Sequence, residues 1–228
     1  MLKIKLYSHS NYAIKYPMIE LAQVFWDIRT PIAPPLTPFL HTEEISRSFL
    51  YTPSRKTTFE KGREAIKQAI LKYEPGFHPT EIWIDSDQSG KPFIRSPDLD
   101  LHLSISHTHG SALGLVSQDC STIGVDIEPF QEKKGEIVWK RLTPSEQQLI
   151  STHFDSRAQF ALALWVAKES AFKADNSGKL IFSPLYEVSQ IKIKPRYIEV
   201  HFKGSPLVGW VKIDSKWIKG AVCSSNPF

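Results

Sequence analysis

The five residues from Gly124 to Glu128 (GVDIE) combine the pattern of a buried strand with two acidic side chains. Successive side chains of a strand alternate between its faces, so Val125 and Ile127 share one face while Asp126 and Glu128 share the other. Like charges at this spacing repel each other, and the apolar run offers neither of them a cation. The two acids are therefore either exposed at the end of a strand or matched by a positive charge from elsewhere.

A second pair of charged residues lies on a long helix that we predict from about Asp155 to Ala174. Glu169 and Lys173 are four residues apart, in line with Trp165. Such a pair on a surface stabilises a helix by only about 0.2–0.5 kcal/mol. This helix, however, is apolar nearly all round, which is typical of burial on both faces. Its core stripe is Phe160, Leu164, Ala167 and Ala171, and its other side carries Leu162, Trp165 and Val166.

Asp126, Glu128 and Glu169 together predict a divalent metal site. Three carboxylates that converge in a poorly solvated place need positive charge, because uncompensated buried charge is costly. Hard oxygen ligands on rigid elements suit Mg²⁺, which usually binds substrate phosphate oxygens as well. Lys173, one helical turn beyond Glu169, would then face the same phosphate.

Two further stretches carry polar residues with weaker signals. In LSISHTHG, His107 and His109 alternate, with His102 nearby, but the ligand count is too low for zinc and a structural role is the alternative. Ser106 and His107 are adjacent on a strand and point to opposite faces, so they do not form a nucleophile–base pair.

SGKPF, from Ser89 to Phe93, lacks the spacing of a phosphate-binding Walker loop and by itself reads as a turn.

Alternating helical and strand patterns predict an α+β fold in two halves. A helix runs from Thr57 to Tyr73 and ends at Pro75-Gly76, and Asp85 to Pro92 reads as a turn. The Pro-rich stretch 31–38 reads as an irregular connection after an N-terminal strand and a short helix. A weak echo between GSALGLVS and KGAVCSS suggests two similar halves packed face to face. The predicted strands are 81–84, 101–106, 112–117, 124–128, 191–194, 197–202, 209–213 and 218–224, with a loop and short helices at 129–153.

Composition narrows the classes of function. A chain of 228 residues allows a sizeable core in one or two domains. No apolar run reaches the roughly 20 residues that span a bilayer, and no signal peptide is evident, so we expect a cytoplasmic protein without a membrane partner. Cys120 and Cys223 read as reduced packing residues. The net charge of +4 fits an acidic partner or an anionic small molecule, and no basic block is dense enough to predict nucleic-acid binding.

Four motifs in order resemble the 4′-phosphopantetheinyl transferases. GVDIE is followed about 40 residues later by WVAKESAFK, and both are preceded by GKP at 90–92 and SISH at 104–107. The length resembles the larger type that activates surfactin synthetase, a monomer of two similar α/β halves related by a pseudo-twofold. Each half is then a small antiparallel sheet packed on a long helix. The implied boundaries are 1–118 for the half that holds the coenzyme A nucleotide and 119–228 for the half with the metal and catalytic motifs.

The resemblance implies a reaction and roles for residues. Coenzyme A would donate its 4′-phosphopantetheine arm to a serine of an acyl or peptidyl carrier protein and leave 3′,5′-ADP, with Mg²⁺ bridging the pyrophosphate. Glu169 is the first candidate for the general base and Glu146 the second. The implied metal set is Asp126, Glu128 and Glu169. The implied coenzyme A contacts are Lys173 and Asp126 at the pyrophosphate, Lys91 and Pro92 at the adenine, Ser106 and His107 at phosphate and ribose, and Arg55 or Lys56, with Arg63 in reserve, at the 3′-phosphate.

Two other functions compete with this transferase. A non-catalytic module that binds coenzyme A or a carrier protein would need broken metal ligands, and none of these motifs is broken. A Mg²⁺-dependent nucleotide hydrolase would need further acidic motifs, which the sequence lacks. The carrier protein and its pathway are not predicted.

The segment from Pro129 to Leu142 follows the metal strand directly, and its apolar Ile137, Val138 and Trp139 with nearby basic residues predict a docking surface for an acidic carrier protein.

Overall fold

A computed structural model describes residues 19–25, 38–153, 156–176 and 186–224. The chain divides into two compact units, of which the first ends at Ser121 and the second begins at Thr122. The predicted Pro-rich connection at 31–38 lies, except for Pro38, outside the described residues.

The first unit contains one long helix and two antiparallel sheets. Strands β1, β5 and β4 pair in the order β1-β5-β4, and β2 pairs with β3 as a separate hairpin. The elements are β1 (Ile19–Phe25), α1 (Thr42–Ser48), α2 (Pro53–Tyr73), a 3₁₀ turn (Pro79–Glu81), β2 (Trp83–Ser86), β3 (Pro92–Ser96), β4 (His102–Thr108) and β5 (Ser111–Ser117).

Several boundaries in this unit differ from the sequence prediction. The strand predicted at 81–84 is Trp83–Ser86, because residues 79–81 form a 3₁₀ turn, and the strand predicted at 101–106 is His102–Thr108. Helix α2 begins at Pro53 rather than Thr57, because proline fits the first helical position, where its missing N–H costs nothing. The predicted turn is shorter than expected, because Asp87 accepts hydrogen bonds from the backbone of Ser89 and Lys91 and closes it within five residues. Pro92 therefore starts strand β3, which the sequence analysis missed.

A buried charge cluster joins α1, α2 and β2. Glu44 on α1 is 1% exposed and accepts hydrogen bonds from Lys67 Nζ and from the backbone N–H of Ile84 (3.2 Å). Arg63 Nε lies 3.4 Å from the same carboxylate. Because each partner would be costly to bury alone, the three charges fix the two helices against the hairpin.

The second unit is a five-stranded antiparallel sheet with three helices. The strand order is β6-β10-β9-β8-β7, so β6 lies at one edge. Every strand predicted in this half is present, most of them longer by one to three residues. The elements are β6 (Ile123–Pro129), α3 (Glu132–Trp139), α4 (Pro144–His153), α5 (Arg157–Asp175), β7 (Val188–Lys194), β8 (Tyr197–Phe202), β9 (Leu207–Ile213) and β10 (Trp217–Ser224).

Helix α5 lies unusually close to the sheet. A Cβ at Gly124 of β6 would be 1.9 Å from the Ser170 carbonyl oxygen, and one at Gly220 of β10 would be 2.8 Å from Val166 Cγ1. The two glycines thus let the helix backbone approach the strands directly. Apolar residues on both sides of α5 are buried, which confirms the prediction of a helix enclosed on two faces.

Each unit therefore packs one long helix on an antiparallel sheet, and the predicted α+β class is confirmed. Cys120 and Cys223 are buried free thiols, as predicted. None of the helices that the structure describes has the length and apolar character needed to cross a bilayer.

Gly114 of β5 offers a test of this packing in the first unit. A Cβ there would lie 2.5 Å from the Ile66 Cα of α2, and backbone cannot move aside as a side chain can. We expect Gly114→Ala to lower the free energy of unfolding by about 1–3 kcal/mol or more in chemical denaturation. The control is Gly76→Ala, where a Cβ meets nothing within 4 Å; equal stability of the two variants would contradict the close approach.

Candidate active site

Strand β6 turns Asp126 towards helix α5. Gly124 faces Ser170 of α5, and Asp126, two residues along the strand, shares that face. Lys173 Nζ on α5 donates to Asp126 Oδ1 at 2.8 Å and to the Val125 carbonyl oxygen at 3.2 Å. Asp126 is only 6% exposed, so this lysine provides charge compensation inside the protein.

Glu128 lies on the same face of β6, closer to solvent. Its Oε1 is 2.7 Å from Lys134 Nζ of helix α3. The lysine and glutamate side chains are 36% and 20% exposed, so water partly screens this pair. The cations beside the two acids are thus Lys173 and Lys134, from two different helices.

Glu169 on α5 interacts electrostatically with both acids of β6. Burial, followed by the negative charges of Asp126 and Glu128, raises the pKa of the Glu169 carboxyl to about 7. Lys173 and Lys134 oppose this shift. Three carboxylates from β6 and α5 therefore meet in one region as predicted, and the third of them holds a proton at slightly acidic pH.

The chemistry of these donors fits a divalent cation. Asp126, Glu128 and Glu169 offer hard carboxylate oxygens on a strand and a helix. The negative charges of Asp126 and Glu128 act on Glu169, and a divalent cation would reduce this repulsion. Among the described residues, no three carboxylate, imidazole or thiol groups are already arranged around a common metal position. Lys173 and Lys134 form ion pairs with two of the three carboxylates.

Comparison with known proteins identifies the family of the chain. Residues 122–220, which include β6 and α5, match the model of the 4′-phosphopantetheinyl transferase superfamily. A holo-[acyl-carrier-protein] synthase of Geobacillus sp. (strain WCH70) is 38% identical over 85 residues, which are 33% of this chain and 70% of that relative. The chain belongs to the 4′-phosphopantetheinyl transferase superfamily.

Other relatives match over a smaller part of their length. The holo-[acyl-carrier-protein] synthase of Anoxybacillus flavithermus (strain DSM 21510 / WK1) is 39% identical to the chain, over 27% of the chain and 58% of that relative. The holo-[acyl-carrier-protein] synthase of Lactococcus lactis subsp. lactis (strain IL1403) is 40% identical, over 28% of the chain and 59% of that relative. A crystal structure of a holo-(acyl-carrier-protein) synthase from Bacillus anthracis str. Ames, in complex with CoA (3′,5′-ADP), is 22% identical, with a TM-score of 0.37 over 43% of this chain and 92% of that one.

Glu146, the second candidate base of this transferase-superfamily chain, has a structural position instead. It is fully buried, and its carboxylate accepts hydrogen bonds from the backbone N–H of Thr143 (2.9 Å) and Val188 (2.9 Å). Lys168 Nζ, also buried, lies 2.6 Å from Glu146 Oε1. Both oxygens are thus occupied in joining α4, α5 and β7, and we assign Glu146 no part in the chemistry. The sequence analysis missed Lys168, whose partner lies 22 residues away along the chain.

The coenzyme A candidates of the first unit lie on three elements. Lys91 closes the β2–β3 turn, with its Nζ 3.4 Å from the Ser121 carbonyl oxygen, and Pro92 follows it in β3. Ser106 and His107 lie next to each other on β4, where Ser106 is buried and His107 is exposed beside Gly62 of α2. Their opposite orientation agrees with the strand geometry predicted from the sequence.

The three basic candidates for the 3′-phosphate differ in position. Arg55 and Lys56 lie in the first turn of α2, not ahead of it as predicted, and cover the rings of Tyr51 (4.8 Å) and Phe49 (4.4 Å). Arg63 is 6% exposed and is paired with Glu44, and burial lowers the pKa of its guanidinium. The reserve assignment of Arg63 is therefore wrong, because its charge is already used inside the unit.

Glu169→Gln tests the electrostatics of the acidic site in metal-free protein. Folding raises the pKa of the Glu169 carboxyl from 4.5 to about 7, so between these pH values the folded state binds the proton more tightly than the unfolded state does. The free energy of unfolding therefore falls as the pH increases through this interval. We expect Glu169→Gln to raise the melting temperature in the presence of chelator at about pH 8 and to leave it unchanged at about pH 4. A difference that does not vary with pH would contradict the raised pKa.

Glu146→Ala tests the structural assignment of Glu146. Its removal leaves the Lys168 ammonium buried without a counter-ion, so the free energy of unfolding should fall by about 3–5 kcal/mol. The folded fraction at low temperature should keep its activity. A variant of wild-type stability that has lost activity would restore Glu146 as the candidate base.

Proposed function

We propose that this protein transfers the 4′-phosphopantetheine arm of coenzyme A to a serine of an acyl or peptidyl carrier protein, with Mg²⁺, and releases 3′,5′-ADP. The observation that carries the proposal is the meeting of Asp126, Glu128 and Glu169 beside Lys173, within the segment that matches the superfamily. The names of the relatives support the same reaction.

The reaction exchanges a phosphoanhydride bond of coenzyme A for a phosphoester bond to the serine. The serine oxygen attacks the phosphorus that carries the pantetheine arm, and the bond from that phosphorus to the oxygen of 3′,5′-ADP breaks. The serine proton passes to a base, and the leaving phosphate takes up negative charge. Catalysis of such a transfer consists mainly of positioning and of neutralising charge on the phosphate oxygens.

The residues of the second unit can meet these demands. Asp126, Glu128 and Glu169 would hold Mg²⁺, which when bound supplies charge neutralisation at the pyrophosphate. Lys173, held by Asp126 and by the Val125 carbonyl, would supply an ammonium as counter-charge for the leaving phosphate. Glu169 would be the first candidate to accept the serine proton, because in the protein without metal its carboxyl has a pKa raised to about 7.

The resemblance further supports a role of the first unit in holding the nucleotide of coenzyme A. Arg55 and Lys56 are the basic residues of the α2 N-terminal turn, where helix polarity also favours an anion. We also propose, from the resemblance alone, the larger surfactin-synthetase-activating type and a cytoplasmic monomer. The proposed nucleotide contacts are Lys91 and Pro92 for the adenine, Ser106 and His107 for phosphate and ribose, and Arg55 or Lys56 for the 3′-phosphate.

Mass spectrometry of apo carrier proteins tests the function directly. Incubation with coenzyme A, Mg²⁺ and this protein should add one phosphopantetheine arm to the carrier serine.

Asp126→Ala removes one hard oxygen ligand and the partner of Lys173, and we expect it to abolish transfer at millimolar Mg²⁺ while the circular dichroism spectrum stays unchanged. A variant with near-wild-type turnover would overturn the metal assignment. Coenzyme A binding by the wild type without transfer to any carrier would favour a non-catalytic module.

The carrier-protein docking surface is corrected by the structure in one respect. Val138 is 5% exposed and is therefore not available as an anchor, and Trp139 is partly buried against the core of the second unit. Ile137 is 47% exposed on α3, and the basic residues Lys140 and Arg141 after this helix are exposed. We therefore propose a smaller docking surface formed by these three residues.

Charge reversal tests this docking surface. Lys140→Glu combined with Arg141→Glu should raise the apparent KM for carrier protein and flatten its salt dependence, because rim charges act mainly on encounter. The affinity for coenzyme A serves as the control and should not change. Unaltered carrier-protein kinetics at low salt would place the docking surface elsewhere.

A further inference from the structure

We infer that Lys134 is a tethered counter-cation that competes with the divalent metal ion for Glu128 and so weakens metal binding by the substrate-free protein. The inference rests on the proposed metal set of Asp126, Glu128 and Glu169. Its basis is the 2.7 Å contact between Lys134 Nζ and Glu128 Oε1, since this oxygen belongs to one of the proposed ligands.

Helix α3 holds Lys134 in place. A Cβ at Gly135 would lie 2.2 Å from the Ala158 carbonyl oxygen, so the backbone of α3 rests directly on α5. Glu136 and Arg157 add two hydrogen bonds between the same helices, at 3.0 and 2.9 Å. The backbone directly after Lys134 is therefore fixed. Lys133, one residue earlier, is exposed and serves as the natural comparison.

The charges of the site explain why this lysine affects metal binding. Two ammonium groups accompany the three carboxylates, with Lys134 paired to Glu128 and Lys173 paired to Asp126. A divalent cation that binds Glu128 must take over the oxygen that Lys134 holds. Lys173 has a comparable contact with Asp126 but is already assigned to the transfer reaction, whereas Lys134 has no other role in the proposed mechanism.

The size of the effect follows from solvent exposure. The Lys134 side chain is 36% exposed and that of Glu128 20%, so water screens the pair partly. Exposed and partly exposed ion pairs contribute about 0.2–1 kcal/mol. Removal of the competitor should therefore tighten metal binding roughly two- to fivefold.

Calorimetric titration of Mg²⁺ or Mn²⁺ into the substrate-free protein tests the inference. Wild type, Lys134→Gln and Lys133→Gln are titrated under identical conditions of pH and salt. We expect tighter binding in Lys134→Gln by roughly two- to fivefold, a clearly smaller change in Lys133→Gln, and wild-type affinity in Lys134→Arg, which keeps the charge. The rise of the melting temperature on addition of metal should be largest in Lys134→Gln, which also shows that this variant is folded.

The possible results separate the inference from the proposed function. Metal binding that changes equally in Lys134→Gln and Lys133→Gln would overturn the competition and leave the metal site intact, since only net charge would then matter. An effect of Lys134→Gln that persists in the Glu128→Gln background would also overturn it. Absence of binding in every protein, at millimolar metal, would overturn the proposed metal site and the inference with it.

Discussion

The direct contact between the backbones of α5 and β6 at Gly124 governs the chemistry of the second unit. Any side chain at this position would collide with the Ser170 carbonyl oxygen, so glycine allows the approach. Asp126 lies two residues further along β6, and Glu169 and Lys173 lie within one turn of Ser170 on α5. The close approach therefore forces three like charges together, and the raised pKa of Glu169 is its electrostatic consequence.

Neutralisation of these acids is divided among separate elements. Lys173 reaches Asp126 from α5, and Lys134 reaches Glu128 from α3, while Glu169 keeps a proton into the neutral range. Each ammonium thus contacts a carboxylate oxygen that a divalent cation could bind instead. A substrate with a pyrophosphate offers the lysines anionic partners of their own, which is the physical link between the site and the proposed transfer.

Local patterns in the sequence were enough to predict the site strand, the site helix and the acids on them. The alternation in GVDIE and the all-round apolar character of α5 are local signals, and both are confirmed by burial in the structure. The start of α2 was wrong because Pro53 at the first helical position was overlooked, and β3 was missed because its first residue is Pro92. The pairs Lys168–Glu146 and Lys67–Glu44 could not be identified, because the partners are distant in sequence and only the packed helices bring them together. The pairing of Lys134 with Glu128, six residues away, depends on how the chain turns from β6 into α3.

The linkage between coenzyme A and Mg²⁺ binding is the most direct measure of the central claim that the acids of β6 and α5 form a metal site for a pyrophosphate substrate. Calorimetric titration of coenzyme A into the protein should give a clearly tighter dissociation constant with saturating Mg²⁺ than with chelator. Mg²⁺ should in turn bind more tightly by the same factor when coenzyme A is present, because coupling between two ligands is reciprocal. Equal affinities for coenzyme A with and without Mg²⁺ would contradict the account.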